Sequence, residues 1–177
     1  MRPLRVFLVV GVLVALVAPE LPRYAAERRV GYATAAFRSL LERARDAETA
    51  TSVVRIGQIA LSTTADLLGD PRPWIIAGSA FLVTGQPERA LENYREAFAT
   101  GERAEIDLNL GRAYALAKRP ESADAALLRA GWVSPEILGT LPAATKDPLL
   151  LRIDRLAEEL ATGHLAAPPP LPEEERR

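Results

Sequence analysis

There is no cysteine in this chain of 177 residues. That excludes disulfides, thiolate metal centres, thiol nucleophiles and a lipid-bearing N-terminal cysteine, and it leaves the compartment open. Histidine occurs once, as His164 beside Gly163. A Ser-His-Asp arrangement on a folded core and a multi-histidine metal site both need imidazoles that the chain does not have. Aromatic residues are only 6% of the sequence, so the core must be built from Leu, Ala, Val and Ile. Excess charge of either sign is missing too: 22 Lys and Arg against 23 Asp and Glu leave −1. Neutralising phosphates takes a basic surface, so no nucleic-acid partner is expected. No glycine-rich phosphate loop follows a strand, and the acidic runs Glu158-Glu159 and Glu173-Glu174-Glu175 read as solvated charge. The expectation is a protein that is not an enzyme, with no catalytic residue, no cofactor and no metal site.

Long hydrophobic runs are also scarce. The longest uncharged one, from Val6 to Ala18, has 13 residues. As a helix it spans about 20 Å, against about 30 Å for a bilayer core. That length suits the apolar region of a signal peptide. A cut after Ala18 would place bulky Leu16 two residues before the last residue and Pro19 directly after the cut, both unfavourable for a peptidase. An uncleaved signal-anchor over residues 1–22 is therefore expected, with lipid contact over residues 4–21. Leu4 and Leu21 extend the span if Arg5 snorkels to one interface and Glu20 sits at the other. Secretion after cleavage remains the alternative. Arg2 and Arg5 on one side nearly balance Arg23, Arg28 and Arg29 on the other. Anchors of this short, start-of-chain kind usually export the rest of the chain. The N-terminus is therefore placed inside and the domain outside, in the periplasm if the source is bacterial.

What is abundant is Ala, Leu, Arg and Glu, all strong helix formers, which points to an all-α chain. Residues 23–47 read as one helix, with Val30, Phe37, Leu40 and Leu41 on an apolar stripe. Residues 51–68 read as a second, with Val53, Val54, Ile56, Ile59, Leu61, Leu67 and Leu68 apolar. Together, residues 23–68 form a helical N-terminal region or cap. Gly69 and Asp70 mark a turn before Pro71 and Pro73.

From there the chain repeats itself. "WIIAGSAFLVTGQPERALENYREA" from Trp74 aligns with "DLNLGRAYALAKRPESADAALLRA" from Asp107, always at an offset of 33 residues. Gly78 falls on Gly111, Phe81 on Tyr114, Pro87 on Pro120, Ala90 on Ala123, Tyr94 on Leu127 and Ala97 on Ala130. This pattern over residues 71–137 resembles two tandem copies of the tetratricopeptide repeat, a helix–turn–helix unit of about 34 residues. The second copy departs from the family pattern with Asp107 where an aromatic is preferred, and the first with Glu102 in place of the closing proline.

The resemblance implies that Gly78 and Gly111 lie where the second helix of each hairpin crosses the first, facing Ala90 and Ala123. It makes Trp74, Phe81, Tyr94 and Tyr114 packing residues. It also implies a groove lined by the first helices: Arg72, Ile75, Ser79, Leu82 and Val83 from one copy, Glu105, Leu108, Arg112, Ala115 and Leu116 from the other. Such a lining suits an apolar helix or extended segment of a partner protein, unless the chain's own caps fill it. The lysine clamp of the chaperone-binding members is missing.

Two repeats are too few to close a core, since about three are usual. Residues 23–68 are the expected N-terminal cap. Within residues 138–163, a helix over 147–161 is the expected C-terminal one, with Asp147 as N-cap, Pro148 at its first position and Gly163 as its stop. "GTLPAATK" before it reads as a loop. The Pro-rich tail, residues 164–177, should be extended or mobile; as a binding element it would be a strap on a partner's surface. The expected architecture is thus all-α: a transmembrane signal-anchor helix, then a TPR-like solenoid of helical hairpins with capping helices. The expected function is a scaffold, an accessory or assembly subunit docked on a larger respiratory, photosynthetic, secretory or envelope complex. The alternative is a soluble exported peptide-binding adaptor or chaperone.

Overall fold

Proline and glycine set most of the helix boundaries. The computed structural model describes residues 14–18, 20–42, 47–164, 167–172 and 175. Most of the expected anchor, including residues 1–13, lies outside the described residues. Among the described residues the chain is helical and has no strand: α1 (Glu20–Leu41), α2 (Ala47–Leu61), α3 (Arg72–Val83), α4 (Pro87–Ala99), α5 (Ala104–Leu116), α6 (Pro120–Val133), a 3-10 helix (Pro135–Thr140) and α7 (Ala143–Ala161). None of these helices is long and apolar enough to cross a membrane.

The two sequence copies fold alike. The α3–α4 and α5–α6 hairpins turn through the same backbone geometry. Gln86 N–H donates to the Phe81 carbonyl and Arg119 N–H to the Tyr114 carbonyl, both at 2.9 Å. The residue before each donor is left-handed: Gly85 at φ +74°, and Lys118 at φ +59°. This is the glycine-type helix stop, with lysine holding a conformation that glycine adopts without a Cβ penalty. Pro87 and Pro120 then open the second helices, where a missing N–H costs nothing.

Each hairpin is a close crossing. A Cβ on Gly78 would lie 2.7 Å from the Tyr94 ring, and one on Gly111 would lie 2.6 Å from the Leu127 side chain and 3.2 Å from the Ala123 carbonyl oxygen. The expected partner of Gly78, Ala90, is thus replaced by the Tyr94 ring, which fills the space a side chain would take. Phe81, Ala90, Tyr94, Tyr114 and Ala123 are all buried, and Trp74 is half-buried.

The helices α1 and α2 form a further hairpin that packs on α3 through Ala26, Val30, Ala33, Ile56, Ala60 and Ile76. A central cluster, including Phe81, Tyr94, Leu110 and Tyr114, joins α3 to α6. A third, with Leu108, Leu127, Leu138, Leu149 and Ile153, joins α5 and α6 to the 3-10 helix and α7. Each element thus hands its apolar face to the next along the stack.

Three boundaries differ from the sequence reading. The first helix is displaced toward the N-terminus, to 20–41. The second starts earlier and ends at Leu61, because the hydroxyls of Ser62, Thr63 and Thr64 donate back to the carbonyls of Ile59, Ala60 and Leu61 and draw the backbone into turns. Leu67 is still buried, but Leu68 is 88% exposed. The last helix begins at Ala143, because the Pro142 carbonyl already accepts from Thr145 and Lys146 N–H at 2.9 Å. Pro148 therefore lies inside the helix, and Asp147 is not its cap. Gly163, at φ +76°, stops it.

The glycine positions make opposite demands on a substitution. Gly78→Ala should lose roughly 1–2 kcal/mol, overpacking outweighing the gain in helix propensity. Gly31→Ala, in α1 with nothing within 4 Å of the added Cβ, should gain up to about 1 kcal/mol. Urea titration of both variants checks the contrast, and equal effects would remove the close crossing as the reason for Gly78. Lys118→Gly should add about 0.5–1 kcal/mol by relieving the left-handed lysine; a loss on substitution would mean that the turn does not need that conformation.

Candidate functional site

The groove residues expected from the repeat register do not form one open surface. Arg72 is held at its N-terminal end: Nη2 donates to both carboxylate oxygens of Glu27 at 2.9 Å, and Nε reaches Asp70. Ile75 and Leu82 are half-buried against the central cluster. Ser79 Oγ sits 3.0 Å from Tyr94 Oη. Burial pushes the Tyr94 phenol up to about 12, with Ser79 and Arg112 drawing it partly back.

The second copy is closed by the chain itself. Leu108, expected to line the groove, is buried among Leu138, Leu149 and Ile153. Arg112 Nη2 donates to Thr140 Oγ1 on the 3-10 helix at 2.7 Å. The reason is that α6 ends in a 3-10 turn that folds Leu138 back over the stack end. Glu105 and Ala115 stay exposed, as does Leu116 at 46%.

The first copy is open. Val83 is 51% exposed. It forms one wall of a cleft of about 260 Å³ lined by Leu40, Leu41, Thr49, Ala50, Val53 and Thr84, between the end of α1, the start of α2 and the end of α3. Four of its seven lining side chains are Leu or Val, so the cleft offers apolar burial with little polar direction.

A second assembly, on the face carried by α4 and α6, escaped the sequence reading. The described part of the Pro-rich tail, residues 167–172 and Glu175, runs back over its own chain. Arg129 Nη1 donates to the Pro169 carbonyl at 2.9 Å. Pro169 and Pro172 are buried. Glu175, its side chain 4% exposed, accepts from Arg95 Nε at 2.9 Å and from the Tyr114 hydroxyl. Arg95 Nη2 also reaches Tyr114 Oη at 3.1 Å.

Beside this lies Asp107, 1% exposed, with neither carboxylate oxygen hydrogen-bonded. Burial, reinforced by Glu102, pushes its carboxyl up to about 7, while Arg129 opposes the rise. Glu102 itself is held below its ordinary value by its ion pair with Arg129. The signal for this cluster was present in sequence: Asp107 and Glu102 are the two positions that break the repeat pattern. Elsewhere, His164 is exposed, its Nδ1 2.9 Å from Thr162 Oγ1. Among the described residues, no group of three or more His, Asp or Glu could hold a metal ion.

Because the Asp107 carboxyl is raised in the folded state, the unfolded chain ionises it first. Stability is therefore lost as pH rises from about 4, and the loss is complete above about 7. Asp107→Asn should raise the melting temperature by roughly 5 °C at pH 8, with the gain closing toward pH 4. Thermal melts of both proteins across that range test it, and a gain independent of pH would contradict a buried ionisable Asp107.

The chain matches no protein-family model, no curated protein and no solved structure.

Proposed function

We propose that this protein is a non-catalytic, membrane-anchored scaffold built on TPR-like hairpins, an accessory or assembly subunit that docks on a larger membrane protein complex. The observation that carries the reading is at the N-terminus. Val14, Leu16, Val17 and Leu21 are each more than half exposed, in direct continuation of the apolar run from Val6. Each stays largely in solvent, and burying each fully would be worth roughly 1.5–3 kcal/mol. A bilayer supplies that burial. The anchor would hold the stack at the membrane with its N-terminus inside, and the Val83 cleft would take an apolar helix or extended segment of the neighbouring subunit. Ion pairs such as Arg119–Glu88 at 2.8 Å and Arg152–Asp124 at 2.6 Å are solvated and contribute little to this recognition.

The test is gentle detergent extraction of the native membrane, size separation and mass spectrometry of whatever co-migrates. The expected result is migration with a large complex, with residues 1–18 retained. Val83→Asp should shift the chain to its free size while changing its melting temperature by less than about 2 °C, because Val83 is half in solvent. Migration alone, trimmed near Ala18, would overturn the scaffold reading in favour of an exported adaptor.

A further inference from the structure

The face carried by α4 and α6 holds the described tail residues by features that do not depend on their being joined to the same chain; Glu175 N–H donates to the Pro172 carbonyl at 3.0 Å, which closes a turn after the second buried proline. Three anchors are spaced along the face. Arg129 binds a backbone carbonyl, that of Pro169. The slot buries Pro169 and Pro172. Three residues beyond Pro172, the carboxylate of Glu175 is met by the Arg95 guanidinium and the Tyr114 hydroxyl. Backbone carbonyl, proline ring and carboxylate are what a receptor for a proline-containing segment reads, since the prolines leave such a segment less conformational freedom to lose on binding. The carboxylate anchor is nearly sealed from water, with Arg95 itself about a third exposed. Alongside the tail, a pocket of about 470 Å³ between Leu128, Arg152, Arg155, Leu156 and residues 167–170 is unfilled. The tail therefore does not complete the surface it lies on.

We propose that this face is a recognition site for a proline-containing segment of a partner protein that turns after a buried proline to present a glutamate three residues further on, and that the chain's own tail is its resident competitor. The site is separate from the Val83 cleft and does not rest on the scaffold reading. Arg95 and Arg129 set the polarity and register of the bound segment. The spare volume by Leu128 and Leu156 accommodates a bulkier apolar side chain than the prolines of the tail. The tethered tail competes at a high local concentration, so the partner segment binds when the tail is weakened or outnumbered.

The experiment uses the full chain and a fluorescent peptide with the sequence of residues 167–177, read by anisotropy. Glu175→Lys in the protein sets a cation against Arg95 and should loosen the resident tail. The expected result is at least tenfold tighter peptide binding to that variant than to the wild type. Binding to the same variant should fall about tenfold for a peptide carrying Glu175→Gln, and likewise when Arg95→Ala is added to the protein. The peptide comparison stands even if the Arg95 variant fails to fold. Absence of binding to either protein at millimolar peptide, equal binding to both, or indifference to the peptide's glutamate would each overturn the proposal. Concentration-dependent dimerisation of the wild-type chain, abolished by Glu175→Lys, would also overturn it, by showing that the occupant is the tail of a second copy.

Discussion

The stack depends on helix contacts that leave no room for a side chain: the crossings at Gly78 and Gly111 within the two hairpins, Gly57 of α2 against Ala77 and Ala80 of α3, and Gly131 of α6 against Leu138 and Ile153. At Gly78 the Tyr94 ring occupies the position of a Cβ, and at Gly111 the Leu127 side chain does. With few aromatic residues available, the core gains its density from backbone proximity. Glycine and alanine bring helices together, and one large side chain per hairpin fills what remains. That choice fixes the rest. The hairpins must turn tightly, so both use a left-handed stop followed by proline at the first helical position. On the second helices Tyr94 and Leu127 carry the nearest contacts, with the Ala123 backbone also reaching Gly111.

This constraint was legible because it repeats. Matching Gly78 with Gly111 and Pro87 with Pro120 at one offset locates both hairpins, their turns and their buried residues from the amino-acid order alone. Two other helix ends were less legible. At Ser62–Thr64 three hydroxyls compete for carbonyls, a local contest that apolar periodicity does not register. At Pro142 and Pro148, two prolines were each able to open a helix. The earlier one does so, and Pro148 forgoes a single solvent-side hydrogen bond.

The binding surface was less legible than the fold, for a physical reason. A register predicts which residues face the groove, but not whether something else covers them. Leu108 has the right register and is buried by Leu138, Leu149 and Ile153, residues from elements outside the repeat. The tail cluster shows the converse. Asp107 and Glu102 looked like isolated departures from a pattern, and only the fold brings them together beside Arg129, with the tail passing over. A residue that breaks a repeat at a buried position without an apolar replacement points to a local contact that the repeat itself does not make.

The stack is therefore unequal at its two ends. The C-terminal end is covered by the 3-10 helix and α7, as a solenoid end must be if it is to meet water. The N-terminal hairpin leaves a cleft open at Val83, and exposed Val14, Leu16 and Val17 precede its first helix in sequence. On the proposed reading the open end and the anchor belong to the same hairpin. A neighbouring subunit in the same membrane would then approach the cleft with its freedom of rotation already restricted by the bilayer. A cleft of about 260 Å³ with few polar groups offers modest contact energy to set against the several kcal/mol of freedom that association costs. Next to the proposed anchor much of that cost would already be met, and a shallow apolar cleft would suffice.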